Sequence, residues 1–206
     1  MRNVFKSTFF KCTSLLLVLM VVFGGTLAFL NDIWYVSPET RTARAIQKVY
    51  GEMVEFDTIF DIDNQDYNDQ TLTEEQIPTI ISATGRINKI YSIGSDTLFQ
   101  TTGYQGYKGG SITLWVKVVS NDGRLVIEKV LLENFDKQTL MSKLDGNYYG
   151  NFLLDITDAY SLGQGFTTSS SGGEFSNPVS GATYSANAAN NAVNCVINYF
   201  GLGGLR

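Results

Sequence analysis

Apolar positions follow three different rhythms along the chain. No charged residue interrupts the stretch from Cys12 to Asn31, and Leu15-Leu16-Leu17-Val18-Leu19-Met20-Val21-Val22-Phe23 continues through Gly24-Gly25 to Phe29-Leu30. As a helix this run is long enough to cross a bilayer. Alternation takes over further along, where Ile112-Thr113-Leu114-Trp115-Val116-Lys117-Val118 sets Ile112, Leu114, Val116 and Val118 on one face of a strand. Residues 87–93, 97–102 and 124–132 read as further strands. Gly94-Ser95-Asp96 joins the first two of these, and Asn121-Asp122-Gly123 is the signal of a tight type I′ hairpin. The last rhythm is helical: Ala189, Ala192, Val193, Val196, Ile197 and Phe200 recur three and four residues apart, which predicts a helix from near Ser185 to Gly201.

Shorter elements fill the gaps. Ser37-Pro38-Glu39 reads as an N-cap with proline at the first helical position, opening a helix that reaches Tyr50 and stops at Gly51. Residues 137–144 read as a short helix and 167–178, with its Ser-Gly-Gly stretch, as an exposed loop. Between Glu55 and Glu75 the chain is acidic. Asp61-Ile62-Asp63-Asn64-Gln65-Asp66 has the alternation of a calcium loop, but Asp66 stands where that loop needs glycine and Leu72 where it needs glutamate, so a solvated acidic loop is the better reading. The fold class expected is α+β, an antiparallel sheet with flanking helices, preceded by one N-terminal transmembrane helix. Residues 1–30 form the tip and anchor, and 31–206 one domain.

The N-terminal run has two readings. Thr26-Leu27-Ala28 resembles a small-x-small cleavage site, as in a signal peptide. Retention is favoured, because Trp34 and Tyr35 then become interfacial anchors, whereas cleavage leaves an apolar new terminus. Arg2, Lys6 and Lys11 precede the span, which places the N-terminus in the cytoplasm and the domain outside it. Arg41, Arg44 and Lys48 on the other side weaken that bias.

Composition narrows the chemistry. The chain carries a formal charge of −5, and removing the three N-terminal basic residues leaves −8 on the domain, which argues against nucleic acid as a partner. There is no histidine, which excludes Ser-His-Asp and Cys-His nucleophiles, histidine haem ligation and the usual zinc enzymes. Cys12 and Cys195 fall in separate environments, and Cys195, on the apolar stripe of the last helix, reads as a small core residue. No catalytic or metal-binding residue is assigned.

One cluster remains. Ser180-Gly181-Ala182-Thr183-Tyr184-Ser185 places hydroxyls and two small residues just ahead of the long helix, whose first turn offers unpaired amides and the positive end of a dipole. A phosphate fits there. So does a simple cap by Thr183 or Ser185, the usual role of such residues.

This segment resembles the flavinylation motif of the FMN-binding domains found in the G subunit of Rnf electron transport complexes and the C subunit of sodium-translocating NADH:quinone reductases. Gly103-Tyr104-Gln105-Gly106-Tyr107-Lys108-Gly109-Gly110-Ser111-Ile112, with Asp122-Gly123 after it, is similar to the glycine-tyrosine-glycine-glycine lead-in to that family's central hairpin. Two positions depart from the family pattern. Asn177 replaces an aspartate three residues before the motif, and Glu133-Asn134-Phe135-Asp136-Lys137-Gln138-Thr139-Leu140 replaces a glutamate-threonine-proline-glycine-leucine-glycine segment.

The resemblance implies that Thr183 is esterified to the phosphate of FMN by a flavin transferase using FAD, with Ser180, Gly181, Ala182, Tyr184 and Ser185 around it. It further implies an electron-transfer subunit of a membrane-bound ion-translocating oxidoreductase, of Rnf type or NADH:quinone reductase type, rather than an enzyme by itself. The partners implied are the other subunits of that complex, the flavin transferase and the membrane. Two other readings stand beside it: a stand-alone membrane-anchored flavoprotein of an extracytoplasmic electron route, and a non-redox surface protein. Tyr104, Tyr107 and Tyr184 are candidates to stack on the flavin or to pack as ordinary tyrosines. Gly103, Gly106, Gly109 and Gly110 either let backbone approach the flavin or form a flexible turn.

Overall fold

The alternating segments pair in the order in which they are synthesised. In the computed structural model, which describes residues 8–63, 80–157, 165–168 and 177–201, five strands form one antiparallel sheet in the order β1-β2-β3-β4-β5. They are β1 (Asp57–Asp61), β2 (Gly85–Ile93), β3 (Asp96–Gly103), β4 (Ile112–Asn121) and β5 (Arg124–Phe135). With its flanking helices and the apolar N-terminal helix, this is an α+β fold. The chain divides into two compact units, Met1–Ile46 and Gln47–Arg206.

Helix α1 (Thr8–Trp34) lies in the first unit. Its Phe10–Asn31 segment, 22 residues of mean hydropathy 2.3 with none of it buried, is long and apolar enough to cross a membrane. Tyr35 is exposed, and the side chain of Trp34 lies outside the described residues. Helix α2 (Pro38–Tyr50) begins as the sequence predicts. The Ser37 hydroxyl accepts from the Thr40 amide at 3.2 Å, and Gly51 closes the helix with a left-handed φ of 86°.

Both tight hairpins have the expected chemistry. Asp122 and Gly123 take φ of 50° and 78°, the pair of positive values that type I′ requires, and Asn121 faces Arg124 across the turn. Gly94 (φ 60°) supplies the left-handed first position between Ile93 and Asp96. Strand β1 was not expected. It lies in the acidic stretch, where Asp57 and Asp61 mask a short strand that buries Phe60. Residues 64–79, most of the predicted acidic loop, and 169–176 of the predicted exposed loop lie outside the described residues. Among the described residues no group of acids, histidines and cysteines could hold a metal ion.

The predicted helix over 137–144 is instead a left-handed residue, Lys137 (φ 55°), an irregular stretch over 138–140, and a single 3-10 turn at Met141–Lys143. Helix α3 (Gly146–Gly150) follows, capped by the Asp145 carboxylate, which accepts from the amides of Asn147 and Tyr148 at 3.0 and 3.2 Å. The residues of the predicted helix lack a helical start because Gln138 is drawn into the interior, as described below.

Helix α4 (Thr183–Gly201) covers one face of the sheet. Phe99 on β3 meets Tyr199 and Phe200 edge-on at 5.4 and 5.5 Å, and Ile87, Ile90, Ile112, Leu114, Val116 and Ile127 complete the buried layer. At one end of this interface the helix touches backbone. A Cβ on Gly103 would lie 1.9 Å from the Ala188 carbonyl oxygen and 2.5 Å from the Ala192 nitrogen, and one on Gly85 would lie 2.8 Å from the Cys195 sulfur. Small residues on the helix thus face glycines on the sheet, so α4 sits nearer than side-chain packing would allow.

The other face carries Tyr91 against Trp115 with ring centres 6.1 Å apart. Lys117 there pairs with Asp96 at 3.0 Å and with Glu128, beneath the ring of Tyr50 at 4.5 Å. Burial works against the Lys117 charge, but the bonds to Glu128 and Asp96 outweigh it and raise the pKa. The Lys129 ammonium donates to the carbonyl of Val49 in the last turn of α2.

Two outcomes are expected. Gly103→Ala should push α4 off β3 and cost about 2–3 kcal/mol in denaturant melts of the detergent-solubilised chain, as overpacked sites do. Burial lifts the Cys195 thiol to about 12, so at pH 8 only about one thiol in 10⁴ is ionised. Iodoacetamide should therefore label Cys195 after denaturation and leave it untouched in the folded protein, as read by peptide mass.

Candidate functional site

The six motif residues form a turn followed by the first turn of α4. The Ala182 amide donates to the Val179 carbonyl at 3.3 Å, closing a turn whose third residue, Gly181, has φ 82°. A positive φ at that place is the type II requirement, so the glycine of the motif is demanded by backbone geometry. Ser180 and Gly181 are exposed, and Ala182 is buried.

Helix α4 begins at Thr183, two residues before the start expected from the apolar stripe. Ala182 therefore occupies the cap position, and its carbonyl accepts the first helical bond from Ala186 at 2.9 Å. Alanine cannot cap, since it has no side-chain acceptor. Neither Thr183 nor Ser185 caps in its place. Among the described residues no side chain accepts from the amides of Thr183, Tyr184 or Ser185, and the Thr183 hydroxyl has no hydrogen-bond partner. Among the described residues, the positive end of this 19-residue helix thus has no side-chain acceptor, and the exposed Thr183 hydroxyl beside it has no partner.

Gly181, Ala182, Thr183, Tyr184 and Ser185 form one wall of a cleft of about 260 Å³, which Tyr107, Thr139 and Leu140 complete. Its rim is apolar: Tyr184 is 66% exposed and Leu140 43%. Lys108 holds its ammonium 5.4 Å from the centre of the Tyr107 ring and adds positive charge nearby. Of the three tyrosines singled out in the sequence, Tyr107 and Tyr184 line the cleft. Tyr104 does not, and its carbonyl accepts from Asn191 of α4 at 3.0 Å.

The glycines of the lead-in segment are set by the protein's own packing. Gly103 meets α4, as above. A Cβ on Gly106 would lie 2.4 Å from the Gln138 amide nitrogen, and one on Gly110 would lie 2.1 Å from the Asp136 carbonyl oxygen. Gly109 takes a left-handed φ of 72°. The segment is therefore an ordered loop: Gly106 donates to Gly110 O at 2.9 Å and Gly110 to Tyr107 O at 2.9 Å.

Asn177, three residues before Ser180, lies outside the cleft wall. It is 1% exposed, its Oδ1 accepts from Asn151 at 3.0 Å, and its backbone amide donates to Thr167 O at 2.7 Å. The position serves to hold the chain leading into the motif.

Several residues that build the site carry no motif. Asn187, Asn191 and Asn194 project from α4 to the backbone of Gln105 (3.4 Å), Tyr104 (3.0 Å) and Phe166 (3.0 Å). Thr139 and Leu140, read as part of a helix, lie in the cleft wall. The only sequence signal for the asparagines is their recurrence on a helix where apolar residues were being counted.

A second cleft, of about 230 Å³, opens on the opposite sheet face between Arg86, Asn88, Gln100, Thr102, Thr113 and Glu133. Its side chains bond one another: Arg86 to Asn88, Asn88 to Thr102, and Gln100 to Glu133, at 2.8, 2.8 and 2.6 Å.

Comparison with known proteins gives no matching family model, no matching curated protein and no matching solved structure. The site therefore rests on its own geometry.

Because the Thr183 hydroxyl neither caps nor bonds any of the described residues, Thr183→Val should change unfolding free energy by less than about 0.5 kcal/mol, well below the ~1 kcal/mol of a lost cap. Urea melts of the two chains in the same detergent check this.

Proposed function

We propose that the chain is a membrane-anchored carrier of covalently bound FMN, attached through Thr183, and that it serves as an electron-transfer subunit of a membrane oxidoreductase. The observation that carries this reading is the exposed Thr183 hydroxyl, which has no partner among the described residues, at the start of α4 on the wall of a cleft with an aromatic and aliphatic rim.

A flavin mononucleotide matches both halves of that arrangement. Its phosphate suits a helix start whose first amides have no side-chain acceptor among the described residues, and its fused ring suits the exposed Tyr184 and Leu140 and the half-buried Tyr107. The attachment needs no oxidant or reductant. Thr183 Oγ1 bonds to the flavin-side phosphorus of FAD, and the P–O bond to the adenylate half breaks. AMP leaves with the electron pair, and the hydroxyl proton passes to a base of the flavin transferase or to water. Among the described residues that line the cleft there is no carboxylate to take that proton, so the chain acts as acceptor and the transferase as catalyst.

When bound, FMN supplies the redox chemistry that the side chains of this protein lack. Thr183 tethers, the first-turn amides and helix dipole favour the negatively charged phosphodiester, and the rim residues shield one side of the cleft from water. The basic residues ahead of α1 support a cytoplasmic N-terminus and a domain outside the cytoplasm. There it would work with the other subunits of an Rnf-type or NADH:quinone reductase-type complex.

The test is to produce the full chain with and without a flavin transferase and to map peptides by mass. The segment containing Thr183 should be heavier by one FMN less water only when transferase is present, and Thr183→Val should abolish the addition and with it electron transfer through the assembled complex. A wild-type peptide that stays unmodified with active transferase would overturn the reading in favour of a non-redox surface protein. A modified chain that purifies without membrane subunits would favour the stand-alone flavoprotein.

A further inference from the structure

Beneath the cleft lies one buried side chain that no motif marks. Gln138 is 7% exposed and sits where three segments converge. Its Oε1 accepts from the Tyr107 amide at 3.1 Å and from the Ser185 hydroxyl at 2.7 Å, and its Nε2 donates to the Asp136 carbonyl at 2.8 Å. One amide thereby joins the glycine-rich loop, the chain leaving β5 and the first turn of α4.

The surroundings are shaped to admit it. The Cβ that Gly106 lacks would lie 2.4 Å from Nε2, and the Cβ that Gly110 lacks would lie 2.7 Å from it. Tyr107 and Ser185, the two residues bonded to Oε1, both line the cleft, as do Thr139 and Leu140, the residues that follow Gln138. The bond also settles which motif hydroxyl is available. Ser185 is 3% exposed and directs its proton to Gln138, while Ser180 lies outside the cleft wall.

We infer that Gln138 is the positioning residue for group transfer to Thr183, fixing the separation of the two cleft walls and withdrawing Ser185 from competition. The inference rests on the reading of Thr183 as the acceptor. Glutamine suits the place because it accepts and donates at once and brings no negative charge near a phosphate. Methionine matches its length but makes none of the three bonds. Glutamic acid reproduces all of them when protonated, and on ionisation loses the donor to Asp136 and gains a charge.

The experiment uses the full chain in detergent with its flavin transferase and FAD, following initial rates of FMN incorporation against chain concentration. With the wild-type chain, incorporation should map to Thr183. Gln138→Met should lower kcat at least about tenfold with KM within about twofold, since Thr183 stays accessible but is misplaced. Gln138→Glu should approach the wild-type rate at low pH and fall towards the Gln138→Met rate as pH rises, each rate taken relative to wild type at the same pH.

Absence of FMN from the wild-type chain would overturn the reading of Thr183, and this inference with it. A modified wild type together with a Gln138→Met chain at unchanged kcat, or with only KM raised, would overturn the role of Gln138 alone. Should Gln138→Met fail to fold, the pH profile of Gln138→Glu decides: a ratio to wild type that does not vary with pH overturns the inference.

Discussion

The contact of helix α4 with the backbone of β2 and β3 is the constraint from which the rest of the structure follows. Glycine at 85 and 103, and small residues at 188, 192 and 195, remove the layer of side chains that ordinarily separates a helix from a sheet. The helix axis is then fixed in height by backbone atoms that cannot change rotamer. With the height fixed, the first turn of α4 reaches the loops at the end of the sheet where β3 finishes and β4 starts. There Ser185, Asn187 and Asn191 come within bonding distance of Gln138, Gln105 and Tyr104. A helix held farther out by bulkier residues would leave those loops without partners and the cleft without a second wall.

Polar side chains inside α4 complete what that contact begins. Asn194 both accepts from and donates to the backbone of Phe166, at 2.6 and 3.0 Å, much as a neighbouring strand would. Tyr148 of α3 donates its hydroxyl to Asn190 at 2.9 Å. Each of these satisfies a loop or hydroxyl that would otherwise be buried without a partner, a cost of about 1–3 kcal/mol apiece. Helix α4 is therefore a scaffold for irregular chain as well as a lid on the sheet.

The sequence made the regular part of this legible. Alternation at Ile112–Val118 and the Asp122-Gly123 turn are local signals with a single physical solution, and the structure contains both. The spacing of Ala189, Ala192, Val193 and Val196 likewise identified α4. Its start lies two residues ahead of the one expected, because the apolar stripe marks the buried face and not the first turn, and the helix opens on Ala182 with no side-chain cap to signal it. Strand β1 escaped notice because its buried residue, Phe60, stands in an acidic stretch between Asp57 and Asp61, and Asp61 is held by Lys89 of the neighbouring strand at 2.8 Å. Gln138 was invisible for a different reason. A side chain that bonds backbone from a distant segment leaves no periodicity, and within 137–144 it pulls the chain out of the helix its propensities suggest.

Because each strand of the sheet pairs with the one made just before it, the sheet can zip up through short loop closures while the chain is still growing. The cleft cannot. Tyr107, Leu140 and Thr183 lie far apart in sequence and meet only when α4, the last described element, has been synthesised and docked. Until then the face of the sheet that α4 covers shows Phe99, Leu114 and Val116 to its surroundings, and Thr183 lacks the cleft walls that Tyr107 and Leu140 supply. Any enzyme that acts on the assembled cleft must therefore act after α4 has been made and docked, and cleft assembly is itself a checkpoint on whether the chain has folded.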